Sequence, residues 1–122
     1  PARRRCPVTK LDELRDALRA FTAARDWDPF HSPKNLAMAL SVEAAELLEV
    51  FQWITEADSR TLEPAAKAAA SDEIADVLLY LILLSDALGV DPLAAAERKI
   101  VANAQKYPVE KARGTSKKYD EL

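Results

Sequence analysis

The chain has 122 residues, of which 49% are hydrophobic, so it is long enough for one globular domain with its own core. Its formal net charge of −3 gives no global positive field of the kind that holds polymeric DNA or RNA. A single cysteine, Cys6, excludes an internal disulfide. No apolar stretch resembles a signal peptide or reaches membrane-spanning length, so we expect a cytoplasmic protein that binds neither polymeric nucleic acid nor membranes.

The composition favours an all-α fold. Only 2 glycines occur, which leaves little material for hairpin turns or for a glycine-rich phosphate loop, and Ala and Leu dominate the long segments. We expect one domain over residues 1–122, with flexible ends at 1–8 and 109–122.

The first predicted helix has a capping-box-like start at Thr9, and its apolar spacing ends at about residue 24. The segment RDWDPFHSPKN follows, and its two prolines indicate an ordered connection rather than more helix. Ser32 and Pro33 are typical of a helix start, and the pattern extends this second helix to about residue 54.

The third predicted helix covers roughly residues 65–88 and ends at Gly89, a residue that suits the C-terminal cap of a helix. Asp91 and Pro92 then predict the start of a fourth helix, which ends before Pro108.

The third helix predicts self-association. From Ile74 to Leu84 every residue except Asp76 is apolar or Tyr, so the helix is hydrophobic nearly all the way round and must be covered on every side. Three short helices of one chain can hardly do that. We therefore expect a homo-oligomer with a four-helix-bundle core formed by the second and third helices, either a dimer or a tetramer built as a dimer of dimers.

Acidic pairs lie within both of these apolar helices. At about 100° per residue, Glu43 and Glu46 share one face of the second helix, and Trp53 lies nearly in line with Glu46 two turns later. Glu73 and Asp76 share a face of the third helix in the same way, and Tyr80 follows them. Solvated positions or helix-dipole partners explain Glu49, Glu63 and Asp72 well, but they explain the two pairs poorly.

Four carboxylates brought together by packing of the two helices would repel one another strongly, so they must take up protons or hold cations. Oxygen ligands alone select Mg²⁺, Mn²⁺ or Ca²⁺ over zinc, and the single histidine excludes the paired Glu-x-x-His motifs of di-iron bundles. We expect a hard divalent ion held by Glu43, Glu46, Glu73 and Asp76.

The two acidic motifs, Glu43-x-x-Glu46 and Glu73-x-x-Asp76, resemble the metal motif of the all-α nucleoside triphosphate pyrophosphohydrolases, the MazG-like group. The resemblance covers about residues 9–120. Several stretches are similar to the dCTP pyrophosphatase branch: RDWDPFHSPKNL, FQW, SDEIADVLLYL, NAQKYP and SKKYDEL. One position departs from the group, because many members have Glu-Glu-x-x-Glu and the leading residue here is Val42.

The resemblance implies a helical homotetramer that uses Mg²⁺ to hydrolyse dCTP or a modified dCTP to the monophosphate and pyrophosphate, in nucleotide-pool sanitation. Our hypothesis is that water activated at the metal attacks the α-phosphate, with Glu43 or Glu46 as the base. Two alternatives stay open. One is the same reaction on dUTP or a non-canonical purine nucleotide, and the other is a non-catalytic helical oligomer that binds nucleotides.

Substrate contacts are expected from aromatic and basic residues. Trp27, Trp53 and Tyr80 can sandwich a flat base, although each can equally be a packing residue, and the resemblance favours the pocket. His31 either touches the base or packs in the connection before the second helix. On the fourth helix, polar residues at i, i+4 and i+7 form a stripe that consists of Lys99, Asn103 and Lys106. The stripe is either a solvated face or, as the resemblance implies, a contact to phosphate or sugar.

Overall fold

The structure is a computed structural model that describes residues 7–122, and every regular element in that range is helical. The predicted all-α class is therefore confirmed. The helices are α1 (Lys10–Ala24), α2 (Pro33–Glu49), α3 (Glu56–Ser59), α4 (Pro64–Leu88), α5 (Pro92–Lys106) and α6 (Val109–Ala112), with 3-10 turns at Asp28–Phe30 and Tyr119–Glu121.

The chain forms two compact units, one ending at Gly89 and the other beginning at Val90. A single domain over the whole chain stays a prediction. Residues 1–6, which include Cys6 and most of the predicted N-terminal arm, lie outside the described residues.

The first two helices begin where their caps predict. The Thr9 hydroxyl accepts a hydrogen bond from the Asp12 backbone N–H at 3.1 Å, and the Asp12 carboxylate accepts one from the Thr9 N–H at 3.0 Å. This reciprocal pair is a capping box. Ser32 caps α2 by accepting from the Asn35 N–H at 3.2 Å, and Pro33 occupies the first helical position, where its missing N–H costs no hydrogen bond.

The second helix is shorter than predicted. It ends at Glu49 instead of about residue 54, because the following N–H groups bond three residues back instead of four, as in the 2.9 Å bond from Phe51 N to Leu48 O. Thr55 then has an extended backbone and caps α3, accepting from Asp58 N–H at 3.1 Å. Thr55 thus starts a separate short helix, and the turn at residues 50–54 joins it to α2.

The centre of the first unit is the pairing of α2 with α4, against which α1 also packs. Leu36 on α2 and Ile82 on α4 are the most deeply buried apolar residues of the described chain, at 2% and 3% exposure. Helix α4 ends at Gly89, whose φ of +67° lies in the left-handed region that favours glycine. Within residues 7–122, no single helix has the length and apolar character needed to cross a membrane.

Much apolar surface stays uncovered in one protomer. Leu48 is 60% exposed on α2, and on α4 Ile74 and Leu88 are 56% and 57% exposed. Leu78 and Leu81 are about two-fifths exposed on the same helix. One chain therefore does not cover α4 on all sides. The prediction of self-association rested on this expectation.

The second unit begins with α5, which Asp91 caps by accepting from the Leu93 and Ala94 N–H groups at 3.0 and 3.2 Å. Its last residues form a small aromatic cluster: the rings of Tyr107 and Tyr119 meet edge to face at 6.1 Å, and the Lys106 ammonium lies 4.8 Å from the Tyr119 ring centre. The region 109–122, expected to be a flexible end, thus contains a short helix and a 3-10 turn. Its flexibility is still a prediction.

Candidate functional site: an acidic cluster and an adjoining cleft

Three carboxylates from two helices meet in the first unit. Glu43 on α2 and Glu73 and Asp76 on α4 each place one oxygen within 4.8 Å of the others. Glu43 and Glu73 are half-buried and Asp76 is exposed, so the cluster lies at the surface with its inner wall covered. The helical spacing of each pair produces this convergence, because residues three apart lie on one helix face.

Two oxygens of the cluster are buried without a hydrogen bond. Glu43 Oε2 and Glu73 Oε2 are sealed from solvent and have no partner among the residues the structure describes. A buried carboxylate oxygen without a partner is costly, because it loses its hydration and gains no donor in exchange. These two oxygens therefore need either a proton or a cation.

Burial and the neighbouring carboxylates raise the pKa of two carboxyl groups in the cluster. Burial raises the pKa of the Glu43 carboxyl, and Glu46 raises it further by hydrogen bonding and by its charge. Burial also raises the pKa of Glu73, and the charge of Glu46 is the next cause. Glu46, the fourth carboxylate predicted for this place, thus acts on the pKa of both Glu43 and Glu73, while the group of oxygens within 4.8 Å of one another consists of Glu43, Glu73 and Asp76.

The donor set fits a hard divalent cation. The cluster offers carboxylate oxygens alone, the ligands that Mg²⁺, Mn²⁺ and Ca²⁺ prefer, and its two unpartnered oxygens would be satisfied by such an ion. An ion would also offset the charge repulsion that, together with burial, raises the pKa of Glu43 and Glu73. The structure therefore contains an acidic cluster that could hold a metal ion.

A cleft of about 280 Å³ opens in the same unit, bounded by α1, the 3-10 turn, α2 and α4. Its lining combines charged or polar side chains with an apolar floor, and consists of Arg19, Thr22, Asp28, His31, Leu36, Leu83, Asp86 and Ala87.

The cleft and the acidic cluster share the same helix faces. Leu36 in the cleft precedes Glu43 on α2 by about two turns, and Leu83 follows Asp76 on α4 by the same distance. Because two turns return a side chain to nearly the same face, both sites lie along the α2–α4 pair, about 10 Å apart. This arrangement also shows that α2 and α4 run antiparallel.

The connection before α2 brings Trp27 and His31 together. Asp26 has a φ of +53°, a left-handed conformation that Asp tolerates, and after it Trp27 N–H bonds to Thr22 O at 3.1 Å. The Trp27 ring then meets Phe21 edge to face at 5.5 Å and His31 at 6.3 Å. Trp27 is 43% exposed, so part of its ring is open to a ligand.

The two remaining aromatic residues predicted for the base site differ in setting. Tyr80 is half-buried on α4, about one turn beyond Asp76. Trp53 is 88% exposed in the turn after α2. Its predicted alignment with Glu46 on one helix face is wrong, because α2 ends at Glu49 before reaching it.

The stripe predicted on the fourth helix lies on α5, in the second unit. Its three residues, Lys99, Asn103 and Lys106, are exposed. Lys106 has a contact that the sequence did not suggest, because its ammonium faces the Tyr119 ring. A role for these residues at the substrate stays a prediction.

Sequence reasoning missed the charged pair inside the cleft. Arg19 on α1 donates two hydrogen bonds to the Asp86 carboxylate on α4, Nε to Oδ2 at 2.8 Å and Nη2 to Oδ1 at 2.5 Å. The two residues are 67 positions apart and belong to no motif, so only the packing of α1 on α4 could reveal the pair.

Comparison with known proteins gives consistent matches. The model of the MazG-like family matches residues 38–122. The chain is 40% identical over 118 residues to dCTP pyrophosphatase 1 of Rattus norvegicus, and the alignment covers 95% of this chain and 69% of that protein. The protein of the same name from Homo sapiens is also 40% identical, with the same coverage. A crystal structure of a pyrophosphatase from Archaeoglobus fulgidus superimposes with a TM-score of 0.75 at 40% identity, covering 87% of this chain and 99% of that one.

Proposed function

The chain belongs to the MazG-like family, and we propose that it is a metal-dependent nucleoside triphosphate pyrophosphohydrolase that cleaves dCTP or a modified dCTP to the monophosphate and pyrophosphate. The observation that carries this proposal is the cluster of Glu43, Glu73 and Asp76, in which one oxygen of Glu43 and one of Glu73 are buried without a hydrogen-bond partner. The names of the relatives, dCTP pyrophosphatase 1 and pyrophosphatase, support the reaction and the choice of nucleotide.

Glu43, Glu73 and Asp76, which meet in the cluster, would hold the metal ion together with Glu46, the fourth predicted ligand. We expect the ion to be Mg²⁺, with Mn²⁺ as its substitute. When bound, the ion would offset the phosphate charge and acidify a water molecule for attack on phosphorus. Glu43 or Glu46 would accept the proton of that water.

The nucleoside would extend from the acidic cluster into the cleft. The cleft lies about 10 Å along the helix pair, so phosphates at the carboxylates would place the sugar and base near its mouth. Leu36 and Leu83 give an apolar floor for a flat ring, and His31 lies on the wall beside the Trp27 ring. Trp53 and Tyr80 are the further proposed base contacts in this unit. A phosphate or sugar contact by Lys99, Asn103 and Lys106 on α5 stays a prediction.

We further propose a homo-oligomer, a dimer or a tetramer, in which a second copy covers the exposed apolar residues of α2 and α4. The exposed fractions of Leu48, Ile74 and Leu88 support this assembly, because large apolar side chains in such numbers are typical of an interface. The proposed setting is removal of unwanted nucleotides from the cytoplasmic pool.

A panel of nucleoside and deoxynucleoside triphosphates with Mg²⁺ and pyrophosphate detection tests the activity. We expect release from dCTP, and its loss in Asp76→Asn and in Glu46→Ala, with the helical circular dichroism signal unchanged. A preference for dUTP or a purine nucleotide would correct the substrate. No pyrophosphate from any triphosphate, with no Mg²⁺-dependent change in melting temperature, would leave the non-catalytic alternative.

A further inference from the structure

The Arg19–Asp86 pair has a setting unlike that of the other ion pairs in the described chain. Those pairs, such as Arg60 with Glu56, join residues close in sequence on exposed helix surfaces, whereas Arg19 and Asp86 join α1 to α4 in the wall of the cleft. The Asp86 side chain is 25% exposed, so the pair is partly covered and still reachable from the cleft.

Asp86 is held in a fixed orientation with acceptor capacity to spare. Both of its oxygens accept from the Arg19 guanidinium, and each oxygen has a second lone pair for another donor. The hydrogen bond from Arg19 holds the pKa of Asp86 below its ordinary value, so the group stays an acceptor and cannot donate at neutral pH. Leu83, one turn earlier on α4, places the apolar floor beside it.

The other polar groups of the cleft are less suited to reading a base. The Thr22 hydroxyl already donates to the Arg19 carbonyl oxygen at 3.2 Å, and Asp28 is exposed on the 3-10 turn. His31 packs edge to face against Trp27. Asp86 is therefore the one half-buried, oriented anion among the residues that line this cleft.

We propose that Asp86, oriented by Arg19, selects the base of the nucleotide by accepting a hydrogen bond from an exocyclic amino group, and so favours cytosine over uracil. This inference rests on the proposed function. Cytosine presents an N4 amino donor where uracil presents the O4 carbonyl, an acceptor that would face the carboxylate without a hydrogen bond. A site that loses a charged hydrogen bond to the base, and sets the uracil O4 against a carboxylate, discriminates by about tenfold to a hundredfold in kcat/KM.

The test is the ratio of kcat/KM for dCTP to that for dUTP in the full chain. We expect Asp86→Asn to reduce this ratio by about tenfold to a hundredfold, because the amide can rotate to donate to O4 as readily as it accepts from N4. Arg19→Gln is the matched control, since it breaks the same link between α1 and α4 but keeps the carboxylate. It should reduce the ratio clearly less than Asp86→Asn does, because the carboxylate still accepts from N4 although it is less firmly oriented.

Equal changes in the ratio for both variants would mean that the pair only fastens α1 to α4, and would overturn the inference. A probe that needs no variant is the triphosphate of 2-pyrimidinone deoxyriboside, a cytosine analogue that lacks only the amino group. The wild-type protein should hydrolyse it with a similar loss in kcat/KM, and turnover equal to that of dCTP would overturn the inference. Absence of pyrophosphate release from every triphosphate would instead overturn the proposed function, and the base selection with it.

Discussion

The acidic cluster predicts that one substitution has opposite effects with and without metal. Glu73→Gln keeps the size of the side chain and removes one charge from a cluster whose oxygens lie within 4.8 Å of one another. Without metal, the variant should be at least as stable as the wild type at neutral pH, because it relieves repulsion and gains an amide donor. With Mg²⁺, the wild type should be the more stable protein.

The size of the metal effect follows from mass action and chain length. At a Mg²⁺ concentration of 100 times the dissociation constant, binding to the folded state alone contributes about 2.7 kcal/mol. With an unfolding entropy of about 2.1 cal/mol/K per residue over 122 residues, this corresponds to a rise in melting temperature of about 10 °C. Glu73→Gln should lose most of that rise.

The pH dependence of the metal-free protein checks the same reasoning. The pKa of Glu43 and of Glu73 is raised above the ordinary 4.5, so the folded state binds these protons more tightly than the unfolded state. Their contribution to stability is complete below pH 4.5 and is lost as the pH rises through the folded pKa values. The difference in melting temperature between the wild type and Glu73→Gln should therefore move in favour of the variant as the pH rises.

The assay is thermal unfolding followed by circular dichroism, with EDTA or Mg²⁺, at several pH values. Glu49→Gln is the control, because Glu49 is an exposed carboxylate at the end of α2 and lies outside the cluster. It should leave the Mg²⁺-dependent rise intact. A metal-free Glu73→Gln protein clearly less stable than the wild type, or one with the full Mg²⁺ response, would refute the cation-site reasoning.

Three further substitutions test the packing and the outer contacts. Leu36→Ala should lower the free energy of unfolding, measured by urea titration, by about 2–5 kcal/mol, because Leu36 is only 2% exposed. A loss under about 1 kcal/mol would contradict its role in the core. Trp53→Ala should change stability by less than about 0.5 kcal/mol, because Trp53 is 88% exposed, while raising KM; unchanged KM would remove it from the site. Tyr119→Leu should raise KM about two- to fivefold, because it removes the aromatic ring that faces Lys106, whereas Tyr119→Phe keeps a ring and should leave KM unchanged. Equal effects of the two variants on KM would argue against a role of Lys106 in substrate binding.

Local signals in the sequence located most helix boundaries correctly. Thr9, Ser32 and Asp91 cap α1, α2 and α5, and Gly89 ends α4, because each acts on hydrogen bonds within a few residues of itself. The end of α2 could not be found in this way. Val50, Phe51 and Ile54 bond to carbonyls three residues back, and no Pro or Gly between residues 50 and 54 signals this change in the sequence.

The acidic cluster was predictable for a different reason. Carboxylates three residues apart inside apolar helices are visible in the sequence of each helix as charges at covered positions. Two such helices packed together need protons or a shared cation to offset those charges. The cleft carried no such signal, since it is assembled from four elements and its ion pair joins residues 67 positions apart. Its discovery required the packing of α1 on α4.

The antiparallel pairing of α2 and α4 links the two sites. The same register that sets Glu43 against Asp76 also sets Leu36 against Leu83, so the position of one site fixes the position of the other. A single inserted residue between Leu36 and Glu43 would rotate one site by about 100° relative to the other around α2. A substrate long enough to span about two helical turns, with anionic groups at one end and a flat ring at the other, is therefore the class of molecule that this register suits.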